Sequence, residues 1–216
     1  MIKAILFDFD GTIVDSLKHH IYAYRKVYNH FGKNLTDDQI IRDALYTPVE
    51  EKTARYQIED KEKFSQAYHK HLDDAFERLE IQENLIEGLD FLKHKNLKLA
   101  IVTFAPGQWT KNTLRKIGLD KYFDLVLGGD NVSHRKPHPE IAEKAMQLLA
   151  VKPTETLLIG DIDLDILTGK NAGTMTALFV PETNRPFADF DLFRKSQPDF
   201  EFKNFAELPE KISRFL

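Results

Sequence analysis

Short apolar runs that end in polar residues constrain this chain more tightly than any other feature. Residues Ala4 to Phe7 are all apolar and stop at Asp8, a pattern suited to a strand covered on both faces in the middle of a parallel sheet. Three similar runs follow, Leu97 to Thr103, Thr156 to Ile159 and Met175 to Val180, with a weaker one from Phe123 to Leu127. Stretches of helical length fall between the later runs, around Gly107 to Ile117, Pro139 to Leu149 and Leu164 to Ala172. Strand alternating with helix predicts a doubly wound, Rossmann-like α/β core built on a parallel sheet. Pro139 falls at the expected first turn of its helix, where a missing N–H costs nothing.

One stretch breaks the alternation. Leu17, Ile21, Tyr24, Tyr28 and Phe31 recur every three or four residues, as one face of a helix does. Thr36-Asp37-Asp38-Gln39 reads as a capping box that opens a second helix. Phe64, Tyr68, Leu72, Ala75, Phe76 and Leu79 mark a third amphipathic face, and no strand signal interrupts the three. Residues 15–83 are therefore expected as an inserted all-helical subdomain, and residues 1–14 with 84–216 as the α/β core. Hinges are expected at Asp15 to Leu17 and around Asn84 to Gly88.

Composition then narrows the function. The 216 residues suit one domain of ordinary size with room for a large insert. Thirty Lys and Arg against 34 Asp and Glu give a net charge of −4 with no single-sign block, which argues against nucleic acid or a membrane surface as partner. There are no cysteines, so disulfides, Cys-ligated metals and thiolate nucleophiles are excluded together. No apolar run approaches the ~20 residues of a spanning helix, and the N-terminal MIKAILFDFDG runs from a few apolar residues straight into carboxylates. A cytoplasmic protein is expected.

The chemistry concentrates at strand ends. Asp8 and Asp10 stand two apart, on the same side of an extended chain, and Gly11 lets the backbone turn away. Two acids so close repel unless a cation or a shared proton separates them. The string DFDGT is specific: a D-x-D-G-T match by accident in a chain of this length has odds of roughly one in a thousand. Thr103 closes IVT, Lys136 stands in RKPHPE, and Asp161 and Asp165 stand in GDIDLD after the run LLI. All three lie where open α/β sheets bind their ligands. Singly, each has a plain structural use, as a cap, a solvated cation or an Asp-rich turn; in this order they are hard to explain that way.

In these motifs the chain resembles the haloacid dehalogenase-type phosphohydrolases that carry a helical cap after the first strand. The resemblance spans DFDGTIVDS, the cap, IVT, RKP and GDIDLDILTGKNAG, with the first and last motifs the most specific. It implies Asp8 as nucleophile and Asp10 as general acid and base. It also implies that Asp8, Thr103, Phe104 and Lys136 hold the phosphoryl group, and that Asp8, the backbone carbonyl of Asp10 and Asp161 hold Mg²⁺ with support from Asp165. An acid two residues after the nucleophile serves phosphatases and phosphomutases, and dehalogenation has no need of it. The expected activity is Mg²⁺-dependent hydrolysis of a small-molecule phosphate monoester through an aspartyl-phosphate, as in phosphoglycolate phosphatases, by a monomer or homodimer. The alternatives are a β-phosphoglucomutase-like phosphoryl transferase and a non-catalytic metabolite-binding protein on the same fold.

Three positions depart from the usual pattern. Phe104 stands where many relatives have Asn after the Thr or Ser, Arg135 where Gly often precedes the Lys, and Ile162 where a small polar residue often follows the metal-binding Asp. Specificity is expected from the cap, with Ser16, His19, His20, Arg42, Thr47 and Arg55 as candidates, although a solvated helix position is the better explanation of any one of them taken singly. Trp109 and Phe104 are candidates to line the pocket, or ordinary core aromatics. The segment Pro181 to Pro198 reads as a loop that folds over one sheet edge, and no chemistry is assigned to it.

Overall fold

The computed structural model describes every residue from Met1 to Leu216. Its centre is a six-stranded, all-parallel sheet in the order β3-β2-β1-β4-β5-β6. The strands are β1 (Ala4–Phe7), β2 (Lys98–Val102), β3 (Leu125–Leu127), β4 (Thr156–Gly160), β5 (Met175–Phe179) and β6 (Phe200–Phe202). All four residues of β1 and all five of β4 are buried, which is why both strands read as unbroken apolar runs. β1 is the middle of the order: Phe7 pairs with Ile101 on one side and Ile159 on the other. The strand order reverses between β1 and β4, so a crevice opens beyond their C-terminal ends.

Ten α-helices accompany the sheet: α1 (Leu17–His30), α2 (Asp37–Ile40), α3 (Val49–Arg55), α4 (Lys61–Ala75), α5 (Leu85–His94), α6 (Gly107–Lys116), α7 (Glu140–Leu149), α8 (Asp163–Asn171), α9 (Phe190–Phe193) and α10 (Leu208–Ile212). α7 lays Ile141, Ala142, Ala145, Met146 and Leu149 on Ala4, Leu6, Ala100, Val102 and Leu158. Each large side chain so buried contributes roughly 1.5–3 kcal/mol of transfer free energy. A second cluster is aromatic, with Phe179 packed on Phe202 and Phe205, both at 4.9 Å between ring centres, and Phe7 on Phe205 at 6.4 Å.

The chain divides into two compact units, Met1–Val14 with Ile81–Leu216, and Asp15–Glu80. The second is helical throughout. α1 buries Leu17, Ile21, Tyr24, Val27 and Tyr28, and Tyr24 stacks on Tyr68 of α4 at 4.4 Å. The box at Thr36 forms in full, with Gln39 N–H donating to the Thr36 hydroxyl and Thr36 N–H to Gln39 Oε1. It opens a single α-turn that continues as a π-helical turn, Ile41–Leu45.

Several expectations change in detail. β3 is confined to Leu125–Leu127, because Asp124 is taken up at the strand start, where its Oδ2 accepts from Leu99 N–H at 2.8 Å. Pro139 is the N-cap of α7 rather than its first residue. The expected return hinge around Gly88 is instead helix α5, and Gly88 is there for packing: a Cβ on it would sit 3.1 Å from the Phe205 ring. The segment expected as a loop, Pro181 to Pro198, contains α9, whose Phe190 and Phe193 pack on Leu178 and Val180. Beyond it the unforeseen β6 extends the sheet edge.

Candidate active site

The crevice between the ends of β1 and β4 collects the acids. Asp8 follows β1 and Asp161 follows β4, on adjacent strands, while Asp165 lies in the first turn of α8. A carboxylate oxygen from each of the three lies within 4.8 Å of the others, and all three residues are buried. Two glycines make that density possible. A Cβ on Gly11, which adopts φ +80°, would fall 2.2 Å from Asp161 Oδ2, and a Cβ on Gly160 would fall 2.2 Å from the Asp165 carboxyl.

Lys136 enters the same cluster from the loop before α7. Its Nζ donates to Asp8 Oδ1 at 2.7 Å and to Asp165 Oδ1 at 2.6 Å, with the Lys side chain 1% exposed. Burial works against its charge, but Asp165 and Asp8 outweigh burial and raise its pKa. Burial pushes the Asp8 carboxyl up to about 7; Lys136 opposes the rise, while Asp165 and Asp10 add to it. Asp161 is likewise raised well above the usual carboxylate range, by burial first and then by the charges of Asp8 and Asp165. One ammonium thus serves two of the three buried carboxyls, Asp8 and Asp165.

The remaining predicted residues fall around this centre as follows. Asp10 is partly exposed just beyond Asp8. Thr103 is buried at the end of β2, and its hydroxyl accepts from Ala105 N–H at 3.2 Å. The Phe104 ring centre is 5.4 Å from Lys136 Nζ. Ile162 is buried against α9, and Trp109 meets Phe9 edge-on at 6.4 Å.

Three residues to which the sequence assigned no role also reach the centre, Thr12 of the DFDGT string among them. Thr12 donates its hydroxyl to Asp161 Oδ1 at 3.0 Å. Asn184 Nδ2 donates to Asp161 Oδ2 at 2.9 Å and to the Gly11 carbonyl at 3.0 Å, and Gln82 Nε2 donates to that same carbonyl at 3.0 Å. Asn184 is fully buried, and its Oδ1 finds no partner. Both oxygens of Asp161 are therefore held in place, each with a lone pair to spare for a cation. The donor set is all oxygen and carries excess buried negative charge, which fits Mg²⁺.

The candidates in the helical unit are engaged among themselves. Arg42 donates from Nε and Nη2 to the two oxygens of Asp43, at 3.0 and 2.9 Å, and Arg55 Nη1 reaches Asp43 Oδ1 at 2.6 Å. His20 Nδ1 lies 2.6 Å from the Tyr68 hydroxyl. His19 is half-buried, which lowers its pKa, and its ring meets Phe76 edge-on. Ser16 is buried and Thr47 half-buried.

Known proteins share this plan. Residues 5–179 match the family described as haloacid dehalogenase-like hydrolase. Pyrophosphatase PpaX of Bacillus mycoides is 31% identical over 99% of this chain and 98% of its own. Pyrophosphatase PpaX of Halalkalibacterium halodurans is 32% identical over 96% and 95%. Among solved structures, a Thermotoga maritima protein provisionally named as a β-phosphoglucomutase superposes with a TM-score of 0.81 at 28% identity, over the full length of both chains. A haloacid dehalogenase-like family hydrolase from Streptococcus pneumoniae shares the fold, with a TM-score of 0.82 at 22% identity over 100% and 99%. No helix is long and apolar enough to cross a membrane. With its acid cluster at the strand-order reversal and a family match over most of its length, the chain belongs to the haloacid dehalogenase-like hydrolases and is a phosphatase of that family.

Proposed function

We propose that the chain is a Mg²⁺-dependent phosphatase of small phosphate monoesters that works through an aspartyl-phosphate on Asp8, in the manner of a phosphoglycolate phosphatase. The observation that carries this reading is the clamp of Lys136 Nζ on Asp8 Oδ1, at 2.7 Å, inside a buried acid cluster at the end of β1. An Asp8 oxygen attacks phosphorus in line, forming an O–P bond as the ester O–P bond breaks. Asp10 gives its proton to the leaving oxygen. Asp10, now a carboxylate, then takes a proton from the water that attacks the phosphoaspartate; inorganic phosphate leaves and Asp8 is regenerated.

Lys136 holds Asp8 in orientation and offers a charge to the phosphoryl oxygens. The Thr103 hydroxyl accepts from Ala105 N–H, which leaves its own proton to donate to a phosphoryl oxygen. Asp8, Asp161 and the Asp10 carbonyl would hold Mg²⁺, which when bound offsets repulsion between an anionic substrate and the acids. Thr12 and Asn184 fix the Asp161 carboxylate for that task.

Phosphate release from a panel of small phosphates, with and without Mg²⁺, tests the reading. The panel contains phosphoglycolate, pyrophosphate, hexose and pentose phosphates, nucleotides and an activated aryl phosphate. Pyrophosphate is included because it is what the PpaX relatives are named for. Mg²⁺-dependent release is expected, and its absence across the whole panel would overturn the proposal. The likeness to the Thermotoga protein favours a second reading, a β-phosphoglucomutase-like transferase. That reading requires glucose 1-phosphate to be converted to glucose 6-phosphate with little free phosphate.

A further inference from the structure

A second group of metal-ligating side chains lies on the surface of the same loop that buries Lys136. His134 and His138 flank Lys136 by two residues on either side, and Glu140 begins α7. One ligand atom from each of the three lies within 4.8 Å of the others. Both His are exposed and Glu140 is partly so. Their arrangement is built around the carboxylate. Glu140 Oε1 accepts from Ser133 N–H at 2.8 Å, and Oε2 accepts from His134 N–H at 2.9 Å and lies 2.9 Å from His134 Nδ1. These bonds fix the orientation of the Glu140 carboxylate. The His138 ring stacks on the His134 ring at 4.4 Å, and its Nδ1 accepts from Glu140 N–H at 3.2 Å.

We propose that His134, His138 and Glu140 form a surface site for a borderline transition-metal ion such as Zn²⁺ or Ni²⁺, separate from the acid cluster, that staples the loop carrying Lys136. The distances fit. Ligand bonds of about 2.0–2.2 Å place neighbouring donor atoms about 2.8–3.6 Å apart, from octahedral to tetrahedral geometry. His134 Nδ1 and Glu140 Oε2 are already 2.9 Å apart, with one proton where an ion would sit. Exposed His138 closes the set by a side-chain rotation, and water completes the coordination. Two imidazoles and one carboxylate suit Zn²⁺, Ni²⁺ or Cu²⁺, whereas the all-oxygen Asp8–Asp161–Asp165 cluster suits Mg²⁺. Saturating Mg²⁺ should therefore leave the surface site open.

Because the donors stand together while Lys136 is seated on Asp8 and Asp165, an ion here favours that seated loop. The test is Ni²⁺ titration of the full chain by calorimetry in excess Mg²⁺, with thermal melts alongside. The wild type should bind one Ni²⁺ that Mg²⁺ does not displace, and should melt at a higher temperature when it is bound. His138→Ala should weaken binding at least tenfold, and the double variant His134→Ala/His138→Ala should lose both the binding and the melting shift. Glu140→Gln tests the carboxylate while keeping an acceptor oxygen, and should also weaken Ni²⁺ binding. Mg²⁺-dependent phosphate release by the His variants without Ni²⁺ should match wild type, which shows that the loop still folds. Undiminished Ni²⁺ binding by the double variant would overturn the proposal. So would wild type that binds no Ni²⁺ in excess Mg²⁺, since His134 and Glu140 then form a hydrogen-bonded pair only.

Discussion

Asp8 in the α/β unit and Asp43 in the helical unit are almost equally shielded from solvent, 6% and 5% exposed, but Asp8 lies deep in the protein and Asp43 near the surface beneath its partners, and their carboxyls move in opposite directions. Asp43 is surrounded by donors. Arg42 contributes two N–H groups, Arg55 one and Tyr56 its hydroxyl at 2.7 Å, and the bonds from Arg42 and Tyr56 hold the group down to about 2. Asp8 shares a single ammonium with Asp165, has Asp161 beside it, and is pushed up to about 7. Low solvent exposure alone therefore says little about a carboxylate; its depth in the protein and the donors around it decide. One whose lone pairs are all filled holds a fold together; one left short of donors in a negative cluster is set up for a cation and an electrophile.

The largest effect expected from that contrast is at Asp8 itself. Asp8→Asn should lower kcat at least about a thousandfold while leaving the fold intact, because the amide is nearly isosteric. The pH dependence goes further. Between its ordinary 3.8 and about 7, the Asp8 carboxyl keeps its proton in the folded chain but has lost it in the unfolded one. The folded state then binds more protons, so this group's contribution to stability declines as pH rises through that window. Without Mg²⁺, the melting temperature of Asp8→Asn relative to wild type should climb from pH 4 to pH 7, and added Mg²⁺ should shrink the gap. A pH-independent gap would mean that Asp8 is as well compensated as Asp43.

Removing a donor from the acid cluster should cost less. Asn184→Ala takes away the bond to Asp161 Oδ2, and a lost support of this kind weakens a metal site by about 10–100-fold. The Mg²⁺ concentration needed for half-maximal phosphate release should rise by that factor, with kcat at saturating Mg²⁺ changed much less. Asn184→Asp, which places another carboxylate beside Asp161, should do more harm than Asn184→Ala if the amide donor is what counts. An unaltered Mg²⁺ requirement in both would reduce Asn184 to packing.

The mirror-image change in the helical unit should affect stability and spare chemistry. Asp43→Asn keeps the shape but gives up the charge that three donors from Arg42 and Arg55 meet. The loss at neutral pH should be about 1–2 kcal/mol, because both arginines can return to solvent. Since the Asp43 carboxyl is depressed, its contribution is complete above 3.8 and disappears as pH falls toward 2. Denaturant melts of wild type and Asp43→Asn should therefore converge on acidification, opposite in direction to the Asp8 pair. Phosphate release per folded molecule should be the same for both.

What could be read from the sequence follows the same division. β1 and β4 are apolar at every position because both their faces are covered, and the acids that follow them are fixed by strand ends alone. Asn184 carried no signal. It sits 23 residues beyond Asp161 at the end of a short 3-10 turn, and only the tertiary path of that turn returns its amide to the site. An isolated Asn before Arg and Pro reads as a turn former. β6 has three residues, too few for a pattern, and owes its place to the edge of β5. Arg42 and Arg55 read as candidate substrate contacts because the sequence does not say that a π-helical turn and the end of α3 would bring both of them to Asp43.

The smallest predicted effect tests that last point. Arg42 is mostly exposed, with its side chain 66% accessible, and its Nε and Nη2 are both spent on Asp43. Arg42→Ala leaves Asp43 with Arg55 and Tyr56, so the melting temperature should hardly move, and KM for the best phosphate substrate should stay within about twofold. Arg55→Ala should cost more stability, since Arg55 bonds Glu51 at 2.9 Å as well as Asp43. A tenfold rise in KM for Arg42→Ala with no change in melting would reverse the assignment: Arg42 would then leave Asp43 during turnover to meet the substrate, and Asp43 would serve as its resting place rather than as a fixed brace.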